Sequence, residues 1–279
     1  MLYSFFFFSI ILLERMVVMK QRTISAIILL IILVGSLIIS SKLFGILMQI
    51  IAILGYNEFF NIKYRDRLKE LRLIKYLGIV GLVLLTLNNT FYVLDMKIVI
   101  LLPLLILSIP IVFYNDNKLY NINDCMYVIG IVYFLGLSFG NIIFLRDTNI
   151  AKCIFIFIIA FITDTYAYIG GSLIGRHKLT SISPKKTIEG SLIGTIMGVL
   201  VGSVYYYNLV GGVTVFQVVM FSLILTILSE IGDLMFSSIK RYFDKKDYSN
   251  LIPGHGGVLD RFDSVIYVSL GLSLILSIF

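Results

Sequence analysis

Four carboxylates stand inside or at the edge of apolar stretches, where a charged side chain is costly and marks a functional candidate by default. Asp164 interrupts the run 161–166, Glu189 opens a later apolar segment, and Glu230 and Asp233 lie within the next. Glu230, Asp233, Ser237 and Lys240 follow one another at spacings of three, four and three, which puts them on one helical face. Such a stripe points acid, hydroxyl and ammonium the same way. It suits a divalent cation and a phosphate, or a polar seam between packed helices; for Glu230 and Ser237 both roles stay open.

A polar segment follows Ser237 and ends in Pro253-Gly254-His255-Gly256-Gly257-Val258-Leu259-Asp260-Arg261-Phe262-Asp263. Its glycines let the backbone come close to an anion and present its amides to it, and Pro253 stiffens the approach. A tight re-entrant turn would use the same glycines; the flanking acids and bases favour the anion site. Upstream, Ser183-Pro184-Lys185-Lys186-Thr187-Ile188-Glu189-Gly190 sets two ammonium groups at the start of an apolar segment, at headgroup level. Attraction to anionic lipid is their plainer role. That role fits better the cluster Lys63, Arg65, Arg67, Lys69, Arg72 and Lys75, which has no glycine or acid partners of this kind. Cys125 and Cys153 lack metal-ligand spacing and read as unpaired packing residues.

The polar segment resembles the signature of the phosphatidate cytidylyltransferase family. Ser237, Lys240, Arg241, Lys246, Asp247, Ser249, Pro253, His255, Gly256, Gly257, Asp260, Arg261 and Asp263 fit that signature without a gap. The stretch 183–190 is similar to a second family stretch. Asp164-Thr165-Tyr166-Ala167-Tyr168, with Gly170, Gly171, Gly175 and Arg176 after it, extends the likeness. The resemblance covers the last hundred or so residues closely, and the first half only by its apolar character.

The resemblance implies transfer of CMP from CTP to phosphatidic acid, giving CDP-diacylglycerol and pyrophosphate in phospholipid biosynthesis. It implies a Mg²⁺ centre on Asp233 and Asp260, with Asp263 as the alternative ligand, and a second cation such as K⁺. The catalytic set is then Asp233, Asp260, Asp263, Lys240 and Arg261. Substrate contacts fall to Lys185, Lys186, Arg241, Lys246, Asp247, His255, Gly256, Gly257, Ser237, Asp164 and Glu189. Homodimerisation is implied as well; nucleic acid is not an expected partner.

These residue types suit the reaction. Two polyanions must meet before pyrophosphate leaves, so repulsion is the main obstacle, and the remedy is a carboxylate-held Mg²⁺ with Lys and Arg spreading the remaining charge. A CTP-dependent transferase using an isoprenoid or polyprenol acceptor is the nearest rival. An ion-coupled transporter is the rival from another class, but it requires a midplane site with a path to both faces.

The elements that must hold these residues are membrane helices. Hydrophobic residues make up 59% of the 279-residue chain and charged ones 14%, with a mean hydropathy of +0.99, whereas soluble domains carry about 25% charged residues. Windows of bilayer-spanning length pick out nine apolar segments, at 24–39, 43–60, 73–87, 97–113, 125–145, 150–172, 188–207, 214–240 and 262–279. The expected fold is an all-α polytopic membrane protein with about nine transmembrane helices.

Threading these spans puts eighteen of the 23 lysines and arginines on one side and Lys42, Lys97, Arg146 and Lys152 on the other, with Arg15 set aside. Positive charge marks the cytoplasmic side, so the N-terminus is expected inside, the C-terminus outside and the signature segment 237–263 in the cytoplasm. Residues 1–18 read as a doubtful leader before an alternative start at Met19, residues 19–150 as N-terminal spans and 151–279 as the catalytic region, all in one membrane domain. The Ile, Lys, Asn and Tyr bias suggests a bacterial plasma membrane.

Overall fold

Backbone polar groups have no partner in hydrocarbon, so an apolar run that crosses lipid must satisfy them within a helix. A computed structural model describes residues 24–91, 94–113, 119–254 and 256–278. It shows helices over all nine predicted segments and no strand among the described residues, only two isolated bridges. In chain order they are α1 (Ile24–Ile39), α2 (Ser41–Tyr64), α3 (Arg72–Phe91), α4 (Met96–Ser108), α5 (Pro110–Phe113), α6 (Ile122–Thr148), α7 (Ile150–Ile174), α8 (Ile188–Leu209), α9 (Val215–Tyr242) and α10 (Leu259–Ile278). The doubtful leader and the alternative start at Met19 lie outside the described residues.

Seven of these are long and apolar enough to cross a membrane: α2, α4 with α5, α6, α7, α8, α9 and α10. The α1 segment is apolar but shorter. The α3 helix is flanked by Arg72 and Lys75 at its start and by Asn88 near its end, which shortens its apolar stretch. Pro110 divides the fourth segment, because it lacks an N–H and suits the first position of a new helix.

Local signals explain several helix ends. Asn121 and Asp124 form a reciprocal capping box at the start of α6, and Thr214 and Gln217 do so for α9. Asn149 caps α7 through the amides of Ala151 and Lys152, and Thr187 caps α8 through that of Gly190 (3.1 Å). The last turn of α9 closes with Lys245 N–H on the Lys240 carbonyl at 2.8 Å.

The tightest packing joins α7 to α8. Gly190, Gly194, Gly198 and Gly202 recur every four residues and are all buried. A Cβ at Gly194 would lie 2.7 Å from the Thr163 carbonyl oxygen, so the two backbones touch where any side chain would hold them apart. Phe59 of α2, Phe236 of α9 and Tyr248 form an aromatic cluster with centroids 5.3–6.0 Å apart. Cys125 and Cys153 are buried and form no disulfide, as expected of packing residues.

The helix ends collect at two levels. At one, Lys63 pairs with Asp124 at 2.9 Å, Arg67 donates to the Leu119 carbonyl at 3.1 Å, and Tyr127 stacks edge-on to Phe243. At the other, Ser41 donates to Asp147 and Arg146 to the Leu37 carbonyl, both at 2.6 Å.

The signature segment is less of a loop than the sequence suggests. Helix α9 runs on to Tyr242 and α10 begins at Leu259, so the described residues between them, 243–254 and 256–258, are irregular. Asp260 and Asp263 therefore sit on the first turns of a helix.

Candidate active site

The site forms where α7, α8, α9 and α10 meet beneath the 243–258 segment. Helices α9 and α10 cross closely at Gly232, where a Cβ would stand 2.9 Å from the Asp263 carbonyl oxygen. That crossing brings Asp233 next to the start of α10. Asp233 and Asp164 are near enough to Asp263 to repel it, and the Lys240 ammonium offsets part of that repulsion. Asp164 accepts a hydrogen bond from the Ser264 hydroxyl at 3.3 Å, and Asp263 accepts one from the Ser264 amide at 2.8 Å.

Two lysines meet this acidic group. The Lys186 ammonium pairs with Asp233 Oδ2, while Asp233 Oδ1 accepts from the Ser237 hydroxyl at 3.3 Å. Lys240 Nζ lies 2.6 Å from Asp260 Oδ1, with the two side chains only 12% and 3% exposed. Asp260 Oδ2 accepts from the amides of Tyr248 (3.0 Å) and Gly257 (2.8 Å), so Asp260 also organises the loop above it. Tyr248 is buried, and desolvation with Asp260 nearby holds its phenol far above its ordinary range. It stays a neutral donor, to the Phe236 carbonyl at 3.1 Å.

The remaining predicted residues divide. Lys185 lines the same basin as Lys186, Asp164 and Asp233. Gly254 and Gly256 adopt φ of +74° and +83°, as a glycine-dependent turn requires, and the Ile252 amide closes it on the Gly256 carbonyl at 2.9 Å. Arg261 lines an adjoining slot with Asp260 and Asp263. Arg241 turns away, donating to the Lys245 carbonyl at 3.1 Å, and Lys246 and Asp247 are exposed on the loop. His255 lies outside the described residues. Glu230 accepts from Ser191 and from Thr195 (3.2 Å), forming the α8–α9 seam that its spacing left open. Glu189 serves the loop before it: its carboxylate accepts from the amides of Arg176 and His177 and pairs with His177 Nδ1 at 2.6 Å.

Glu58 on α2 was missed in the sequence. It is 4% exposed and binds the 243–258 segment and the start of α10. The rule that singles out Asp164, an acid within an apolar run, applies to it equally.

Two cavities converge here. One, of about 310 Å³, is lined by Lys185, Lys186, Ser191, Glu230, Asp233 and Asp164 among others. The other, of about 650 Å³, has walls of α1 and α2 side chains such as Leu29, Leu33, Leu47 and Ile51, together with Phe161. Its polar end holds Asp164, Asp260, Arg261 and Asp263, so Asp164 borders both spaces.

Among the described residues no three His, Cys, Asp or Glu side chains converge as a preformed metal cage. Mg²⁺ does not require one, since it commonly takes one or two carboxylates and completes its octahedron with water and phosphate oxygen. Asp233, Asp260 and Asp263 offer oxygen ligands alone. The ammonium groups on Asp233 and Asp260 mark points where positive charge is accepted, and the donor set fits a hard cation.

Known proteins resemble the chain over most of its length. The profile of the cytidylyltransferase family matches residues 20–279. A phosphatidate cytidylyltransferase of Staphylococcus saprophyticus is 30% identical over 228 residues, 81% of this chain and 87% of its own. That of Staphylococcus aureus is 31% identical over 236 residues, 83% of this chain and 88% of its own. That of Staphylococcus haemolyticus is 33% identical over 183 residues, 65% and 69% of the two chains. With its carboxylates, lysines and glycine turn gathered at one end of a membrane bundle, the chain belongs to the cytidylyltransferase family.

Proposed function

We propose that the two cavities hold the two substrates of a phosphatidate cytidylyltransferase, the enzyme that converts CTP and phosphatidic acid to CDP-diacylglycerol and pyrophosphate. Family membership and the relatives carry the activity. The observation that supports the substrate assignment is Asp164, which borders both the lysine-lined basin and the apolar slot. The basin suits the triphosphate and the slot suits acyl chains, with the reacting phosphates between them.

In this reading a phosphate oxygen of phosphatidic acid attacks the α-phosphorus of CTP; a new P–O bond forms and the bond to the β-phosphate oxygen breaks. A phosphomonoester loses its second proton with a pKa of about 6, so the nucleophile is already anionic and needs no general base. The chain's work is to position and to neutralise. Lys185 and Lys186 face the triphosphate, and Lys186 exchanges its carboxylate partner Asp233 for phosphate oxygen. Lys240 and Arg261 face the lipid phosphate. Mg²⁺, held by Asp233 with Asp260 and with Asp263 as the alternative, supplies charge neutralisation when bound; K⁺ as a second cation belongs to the same proposal. Asp164 and Ser237 orient these acids, and the glycine turn offers amides to the leaving pyrophosphate. Lys246 adds exposed positive charge along the loop, Arg241 and Asp247 shape it, and Glu189 shapes the loop that carries the two lysines.

Nine spans, a cytoplasmic N-terminus and an outer C-terminus complete the proposal. The support is the charge asymmetry, which agrees with the two levels at which helix ends collect. The site then faces the cytoplasm of a bacterial plasma membrane, where CTP is available. Self-association as a homodimer belongs to the same reading, and light scattering of the purified protein tests it. The substrate assignment is tested by offering several lipid phosphates with labelled CTP. Label should enter phosphatidic acid; exclusive use of an isoprenoid phosphate overturns the assignment.

A further inference from the structure

Helix α10 takes the acceptor for its first amide from outside its own stretch of chain. The residue before Leu259 is Val258, whose side chain accepts nothing, yet the first amides of a helix need acceptors. Glu58 supplies them from α2, 201 residues away in the chain. Its Oε2 accepts from the Leu259 amide at 2.8 Å, and its Oε1 accepts from the Val258 amide at 2.8 Å and the Ser249 hydroxyl at 2.6 Å. A Cβ on Gly257 would stand 2.6 Å from Oε1, so glycine is what admits the carboxylate.

Burying a carboxylate is costly and is offset here by three charge-assisted hydrogen bonds to one short stretch of chain. The stretch leads directly into Asp260 and, one turn on, Asp263. The neighbouring Phe59 packs edge-on against Tyr248 at 5.3 Å, which fixes the α2 end against the same loop. We infer that Glu58 is a positioning residue that caps α10 from across the bundle and so aims Asp260 and Asp263 into the site. The inference rests on the reading above for what those aspartates do, but the capping itself does not.

Glu58→Gln keeps the shape and turns one acceptor oxygen into a donor facing donors. In the purified full-length protein, amide exchange over residues 249–260 should speed up by about tenfold, as loss of a hydrogen bond to a charged group implies. Half-saturation by Mn²⁺, read by electron paramagnetic resonance as a stand-in for Mg²⁺, should rise by about tenfold, as for other residues that orient metal ligands. The value of kcat should fall by a similar factor while KM for CTP changes by less than about twofold, because the nucleotide basin is not touched.

Wild-type Mn²⁺ affinity and kcat in Glu58→Gln would overturn the inference, as would a wild-type protein that takes up no Mn²⁺. If Glu58→Gln does not accumulate, Ser249→Ala removes one of the three bonds; it should move exchange and Mn²⁺ binding the same way by about threefold, and no movement overturns the proposal. Failure of the wild-type protein to transfer CMP would count against the functional reading alone, since exchange and Mn²⁺ binding are read without turnover.

Discussion

Lys240 Nζ and Asp260 Oδ1 stand 2.6 Å apart and tie the last turn of α9 to the first turn of α10. The pair is nearly buried, and the other carboxylate oxygen holds two loop amides. One ion pair thus joins a candidate phosphate-binding lysine, a candidate metal ligand and the glycine turn.

Lys240→Ala leaves Asp260 buried without its partner, a change that costs about 3–5 kcal/mol. We expect a lower melting temperature in detergent and higher KM values for CTP or phosphatidic acid. Unchanged KM for both substrates would remove Lys240 from the site and leave it a purely structural tie.

Asp233→Asn removes a charge from the acidic group with little change in shape. Turnover should fall by roughly a hundredfold or more, because the interactions lost act on transferring phosphate. The amount of protein in the membrane fraction should match wild type. Activity near wild type would refute Asp233 as a metal ligand.

Gly194→Ala places a methyl 2.7 Å from the Thr163 carbonyl oxygen and pushes α8 off α7. Overpacking of this kind costs about 1–3 kcal/mol. Gly130→Ala is the control, since nothing lies within 4 Å of a Cβ there. Equal melting temperatures for the two variants would contradict the close α7–α8 contact.

Ile51→Trp narrows the apolar slot without touching the lysine basin. KM for long-chain phosphatidic acid should rise by about threefold or more, with KM for CTP unchanged. A rise in the CTP value alone would reverse the assignment of the two cavities.

The helices were legible because a helix in lipid must be apolar almost all round, a demand that marks most residues of a run such as 150–172, observed as Ile150–Ile174. The start of α10 was not. Asp260 and Arg261 look like loop, and the carboxylate that accepts from the Leu259 amide, Glu58, comes from a distant element. Chemistry-bearing residues were legible as a set, while their individual partners depended on packing. Glu230 and Asp233 share a face, yet one meets Ser191 and Thr195 and the other Lys186. Glu189, placed with the substrate contacts, accepts backbone amides of its own loop. No local pattern announces that.

The most direct test uses purified protein, phosphatidic acid and CTP labelled at its α-phosphate, with pyrophosphate and lipid product followed together. Label should appear in CDP-diacylglycerol in step with pyrophosphate, stop when the divalent ion is chelated, and resume when Mg²⁺ is restored. Label that stays in the aqueous phase, or a rate indifferent to chelation, would contradict the account.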